Sequence, residues 1–143
     1  MVSIKREKTV AFTQEQMYAL VNRIEDYPEF LPWCSSTEII SRDEDEVRAS
    51  ITVRGGGFHK AFTTVNRLQH NKMIEIRLLD GPFKHLEGFW LFEPISDAQS
   101  KVSLDLEFEF AGGLLNFAFG PMFHQIASNF VDAFCERAKQ IYA

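Results

Sequence analysis

The feature that most narrows the fold is a change of period after residue 110. Before it, Val102, Leu104, Leu106, Phe108 and Phe110 alternate with Ser103, Asp105, Glu107 and Glu109, the period-two pattern of a strand with one buried face. From Leu114 the apolar residues recur at helical spacing. Phe119, Phe123, Ile126, Phe130, Phe134 and Ile141 share one face, Met122 and Ala133 widen it, and Asp132, Glu136, Arg137 and Lys139 lie opposite. A helix with so wide an apolar face must lie against a sheet. Gly120-Pro121 predicts a kink, or a break after a short first helical segment, because Pro121 clashes with the carbonyl four residues back.

The upstream chain supplies that sheet. Ile4, Arg6, Lys8, Val10 and Phe12 form one parity of a first strand ending near Phe12. Thr13 then caps a helix over 14–24, with Gln16 as capping-box partner and Met17, Leu20, Val21 and Ile24 as its apolar stripe. Asp26, Pro28 and Pro32 bracket a second short helical turn. Six strand candidates follow, at 36–42, 47–54, 58–68, 73–79, 83–93 and 102–110. The turns between them are short, which predicts an antiparallel meander that curves as it twists and wraps the long helix.

Residues 78–92, LLDGPFKHLEGFWLF, contain the firmest turn in the chain, Asp80-Gly81-Pro82, and then a strand that is apolar at both parities. A strand with one wet face alternates. This one carries Phe83, Phe89 and Leu91 as well as Leu86, Trp90 and Phe92. Two readings fit: one face on a cavity with the other covered or forming an exposed patch, or a central strand in a filled core.

Length and composition bound the function. The 143 residues suit a single domain, 1–143, and 14 Phe imply that something large is lined or filled. The formal net charge of −5 disfavours a DNA or general nucleic-acid binder, so a ribosome contact needs a local patch, with Lys5, Arg6 and Lys8 as one candidate. No run approaches a membrane span and the N-terminus has no signal-peptide pattern, so a cytoplasmic location is expected. Cys34 and Cys135 lack CxxC spacing and read as reduced packing residues. His59, His70, His85 and His124 show no metal-binding spacing or acidic partner, and no nucleophile elbow, Walker loop or dinucleotide fingerprint is present. No metal, cofactor or catalytic group is therefore expected. Asp105, Glu107 and Glu109 read as a solvated strand face.

Three stretches, YPEFLPWC at 27–34, LLDGPFKHLEGFWLFEP at 78–94 and FEFAGGLLNFAFGPMFHQIASNFVDAFCERAKQIY at 108–142, resemble the coenzyme Q-binding protein family. That family includes the bacterial RatA proteins and belongs to the START-like (SRPBCC, polyketide cyclase-like) superfamily. The resemblance runs from the first strand to the last helix. It implies an α+β helix-grip fold: a curved antiparallel sheet around a long C-terminal helix, with two short helices after the first strand. It also implies a lipophilic ligand, ubiquinone or a related polyprenyl lipid, held between sheet and helix in support of respiration, with possible peripheral membrane contact. The alternative is a RatA-type toxin that binds the large ribosomal subunit and blocks subunit association; a cyclase-like enzyme ranks third. The chain starts at the domain without a transit extension, as a bacterial member would.

Under the ligand reading, Tyr27, Phe30, Pro32 and Trp33 form the mouth of the cavity, with a hydrophobic staple between short helices and sheet as the equal alternative. Phe83, Trp90, Phe108, Phe123, Ile126, Phe130 and Phe134 line it. Arg77 is either a polar anchor for a quinone carbonyl or, preferred, the ion-pair partner of Glu75.

Overall fold

The computed structural model describes residues 2–142. Seven strands, β1 (Val2–Val10), β2 (Cys34–Arg42), β3 (Glu46–Gly55), β4 (Phe58–Gln69), β5 (Met73–Asp80), β6 (Phe83–Ser96) and β7 (Gln99–Phe110), form one antiparallel sheet in the order β1-β7-β6-β5-β4-β3-β2. Consecutive strands from β2 to β7 pair as the expected meander, and β1 closes the far edge against β7, with Val2 opposite Phe108 and Val10 opposite Ser100. The sheet curves around two C-terminal helices, α2 (Gly113–Ser128) and α3 (Phe130–Tyr142), while α1 (Gln14–Asn22) and a 3₁₀ helix (Ile24–Glu29) sit between β1 and β2.

Thr13 caps α1 as expected. Its hydroxyl accepts from the Gln16 N–H at 3.1 Å, and the Gln16 side chain accepts from the Thr13 N–H at 2.8 Å. The helix ends at Asn22, not 24, because the buried Tyr27 hydroxyl donates to the Val21 carbonyl and the chain tightens into the 3₁₀ turn. Strand β1 stops at Val10; Phe12 lies beyond it, 5.9 Å from the Tyr142 ring.

A bulge resolves the strand that was apolar at both parities. The register of β6 against β7 shifts between Phe83 and His85, so Phe83, Leu86, Trp90 and Phe92 are all buried on the concave side. His85, Glu87, Phe89 and Leu91 then face outward, and only two half-buried apolar side chains remain there. Strand β7 alternates without interruption: Ser100, Val102, Leu104, Leu106, Phe108 and Phe110 are all buried.

The C-terminal helix differs from expectation in two places. Pro121 lies inside α2 without ending it, and the break falls at Asn129 (φ −98, ψ 0). The bond Pro121 cannot donate would go to the Phe117 carbonyl, and Phe117 is exposed, so that turn is accessible to solvent. At Asn129 the ladder continues, with its N–H bonded to Gln125 O at 3.2 Å and its own carbonyl accepting from Ala133 at 3.0 Å. Ile141 is exposed: the buried stripe of α3 ends at Ala138, where the helix runs past the sheet.

Gly88 lies close against the β7 backbone. A Cβ there would lie 2.1 Å from the Asp105 carbonyl oxygen and 2.9 Å from the Leu106 Cα, both backbone atoms that cannot rotate away. Only glycine fits at this position without displacing the β7 backbone. Gly88→Ala is expected to destabilise the protein by about 3 kcal/mol, in the upper range for overpacking; an unchanged urea midpoint would show that the strands separate freely.

Candidate functional site

The concave face and helices α2 and α3 enclose a cavity of about 70 Å³. Its wall is almost entirely apolar. Six of the residues singled out in the sequence contribute to it: Tyr27 and Trp33 from the 3₁₀ segment and the residues after it, Trp90 from β6, and Phe123, Ile126 and Phe130 from the helices. The rings interlock at angles that suit their quadrupoles: Trp33 lies 5.4 Å from Phe130, and Trp90 lies 5.7 Å from Phe130 and 5.3 Å, edge-on, from Phe134.

Six other residues fall elsewhere. Phe83, Phe108 and Phe134 fill the core instead of bounding the cavity: Phe83 stacks on Phe110 at 4.6 Å, Phe108 packs edge-on against Phe123 at 4.7 Å, and Phe134 is fully buried. Phe30 packs on Phe134 at 5.2 Å and receives the Arg137 guanidinium over its ring at 5.0 Å, so it ties the short helices to α3. Pro32 is exposed. Arg77 lies on the opposite side of the sheet, because Ile74 and Ile76 take the inward parity of β5, and it pairs at 3.9 Å with Glu87 on the neighbouring strand, not with Glu75.

Thr64 and Asn66, which the sequence reading missed, contribute the polar part of the wall. They occupy the inward parity of β4, 3% and 8% exposed, and the Thr64 hydroxyl donates to the Asn66 side-chain oxygen at 3.1 Å. The signal was present: the 58–68 strand alternates poorly because two polar residues stand on its apolar face.

The ionisable groups around the site do not favour nucleophilic chemistry. Burial pushes the Cys34 thiol up to about 11 and raises Tyr27 as well, so neither is poised to ionise near neutrality. Cys135 is also buried, with its thiol raised mainly by burial, and both cysteines are free. One expectation about histidine is overturned. His85 does have acidic neighbours: Glu87, two residues on along the same strand face, at 3.4 Å, and Glu107 of the neighbouring strand at 3.7 Å, on the outward face where the bulge in β6 places all three.

The outer surface carries two other features. Leu114 and Phe117, one turn apart at the start of α2, are 81% and 85% exposed. The basic residues of β1 are partly neutralised, Lys5 by Asp105 at 3.8 Å and Lys8 by Asp132 at 3.3 Å. Among the described residues no helix is long and apolar enough to cross a membrane.

Residues 10–135 match the polyketide cyclase / dehydrase and lipid transport family. The ribosome association toxin RatA of Vibrio cholerae is 45% identical over 99% of this chain and 99% of its own length. A mitochondrial coenzyme Q-binding protein homologue of Xenopus laevis is 29% identical over 99% of this chain and 59% of its own length. Among solved structures, a Thermus thermophilus protein superposes with a TM-score of 0.84, covering 99% of this chain and 100% of that one at 16% identity, and so shares the fold.

The Cys34 shift gives a testable pH dependence. Its folded pKa of about 11 lies above the ~8.5 of an exposed thiol. The folded state therefore holds that proton more tightly, and the corresponding stability is complete below about pH 8.5 and lost as pH rises toward 11. Urea melts from pH 8 to 10.5 are expected to show a falling midpoint with a shallower fall in Cys34→Ala; parallel slopes would refute the assignment.

Proposed function

This chain belongs to the coenzyme Q-binding/RatA family within the polyketide cyclase, dehydrase and lipid transport group, and from that membership we propose that it is a non-enzymatic, cytoplasmic ribosome-association protein of bacterial type, binding the large ribosomal subunit and blocking subunit joining. The relationship to the Vibrio cholerae RatA protein, end to end at 45% identity, supports this reading over the carrier reading. The structural observation that carries it is the pair Leu114 and Phe117, more than four-fifths exposed on one face of α2. Two adjacent large apolar side chains left in water mark a surface for a partner.

The β3–β4 hairpin supplies the charge. It packs on the same helix, Phe58 against Phe119 at 4.8 Å, and its tip presents exposed Arg54, His59 and Lys60 around three glycines. An apolar knob beside a basic tip suits a surface of protein and phosphate, which the ribosome offers.

A second reading rests on Thr64 and Asn66 inside an otherwise apolar wall, which suits a lipophilic ligand with a polar head, ubiquinone or a polyprenyl lipid, and on the relationship to the coenzyme Q-binding protein. Size counts against it. A cavity of about 70 Å³ is less than half of the ~150 Å³ that admits benzene in an engineered apolar core, so a quinone ring requires the helices to move outward.

Two experiments separate the readings. Leu114→Ser combined with Phe117→Ser should weaken co-sedimentation with large ribosomal subunits at least tenfold without lowering the melting temperature, and Arg54→Glu with Lys60→Glu should weaken it more at low salt than at high salt. Undiminished co-sedimentation of both variants would sink the proposal. Mass spectrometry of organic extracts, from protein purified gently out of its native host, is expected to find no stoichiometric lipid; a one-to-one quinone that is lost in Phe130→Asp would instead establish the carrier reading.

A further inference from the structure

Independently of the ribosome reading, we infer that the convex face of the sheet carries a divalent transition-metal site of the zinc class, formed by His85 and Glu87 of β6 and Glu107 of β7. The ligand atoms of these three side chains lie within 4.8 Å of one another, with His85 Nε2 3.4 Å from a Glu87 oxygen and 3.7 Å from a Glu107 oxygen. Around a tetrahedral ion with bonds of ~2.0–2.2 Å, neighbouring donors stand about 3.3–3.6 Å apart. The two nitrogen–oxygen separations are near that spacing already, and rotation of exposed carboxylates closes the rest.

Charge and hydrogen bonding point the same way. Glu87 and Glu107 are directly opposite in the β6–β7 register, a like-charge pairing that destabilises a sheet unless a cation stands between them. Arg77 approaches only Glu87, at 3.9 Å, and among the described residues the side-chain neighbour of Glu107 is the His85 ring, at 3.7 Å. Two carboxylates and one neutral imidazole carry the charge that balances a divalent ion. His85 Nε2 is buried and makes no hydrogen bond among the described residues. A buried ring nitrogen left without a bond is unfavourable, and a metal ion would use its lone pair.

The scaffold is a rigid one. β6 and β7 are long paired strands, and the register shift at Phe83/His85 places His85 and Glu87 together on the face that carries Glu107. All three side chains are partly open to solvent, 28% for His85, 44% for Glu87 and 43% for Glu107, so an ion can enter and water can complete its shell. One nitrogen and two oxygens favour Zn²⁺, Ni²⁺ or Co²⁺ over Mg²⁺, which demands an octahedron of oxygens.

The test is calorimetric titration of the full, untagged, chelator-treated chain with ZnCl₂, in parallel with thermal melts. One Zn²⁺ per chain and a rise in melting temperature are expected, with no such rise in excess MgCl₂. Glu107→Gln should weaken binding at least tenfold while leaving the metal-free melting temperature equal or higher, since it removes the like-charge pairing; His85→Asn should weaken binding similarly. His59→Ala, at the distant hairpin, should bind as the parent does. Substoichiometric binding, or binding unchanged in Glu107→Gln and His85→Asn, would overturn the assignment.

Discussion

The packing of one aromatic stripe on the C-terminal helices into the concave sheet is the interaction on which the remaining architecture depends. Phe123 meets Phe108 at 4.7 Å and Phe83 at 5.1 Å, and one helix further Phe134 meets Trp90 at 5.3 Å and Tyr27 at 5.2 Å. These contacts join β6, β7, the 3₁₀ turn and both helices through a few rings. Edge-to-face pairs add about 0.5–1.5 kcal/mol each to what burial alone supplies. With α1 and the 3₁₀ turn covering the rest of the inner face, the position of α2 and α3 helps set how much space is left beneath them.

That dependence explains why the cavity is small. Tyr27, Trp33, Trp90, Phe123 and Phe130 bound it, yet Phe134 packs against Tyr27, Trp90 and Phe130, and Phe83 and Phe108 against Phe123, so that these rings fill core space around the cavity. The same 14 phenylalanines that suggest a lined cavity can equally fill one. What remains open is bordered by Thr64 and Asn66, whose mutual hydrogen bond satisfies part of their polarity inside the core.

The sheet and its helices were legible because their signals are periodic. The alternation of β7 and the capping box at Thr13 predict elements that the structure reproduces to within a few residues. Parity was the weak point. A bulge adds one residue and reverses every side chain after it, and nothing local in Phe83-Lys84-His85 announces one; Glu87 shares a strand face with His85 at either parity, but the proximity of Glu107 on the neighbouring strand depends on that register. Arg77 could have been placed, since Ile76 and Leu78 flank it and take the inward parity with Ile74. The helix continues through Pro121 on a turn exposed at Phe117, and that exposure is a tertiary fact that the sequence does not encode locally.

The acidic composition that argued against a ribosome partner loses force once the charges have positions. At physiological ionic strength, exposed charges more than about 8 Å apart are largely screened. The carboxylates Glu75, Glu87, Asp105 and Glu107 border one groove on the convex face, whereas Arg54, His59 and Lys60 stand on the β3–β4 hairpin, beside the helix that carries Leu114 and Phe117. A phosphate-rich surface approaching that hairpin meets its local charge, and the net charge of −5 acts only at longer range. The acidic convex face suits a different partner, a small cation, so one sheet can present opposite electrostatic characters at its tip and on its back.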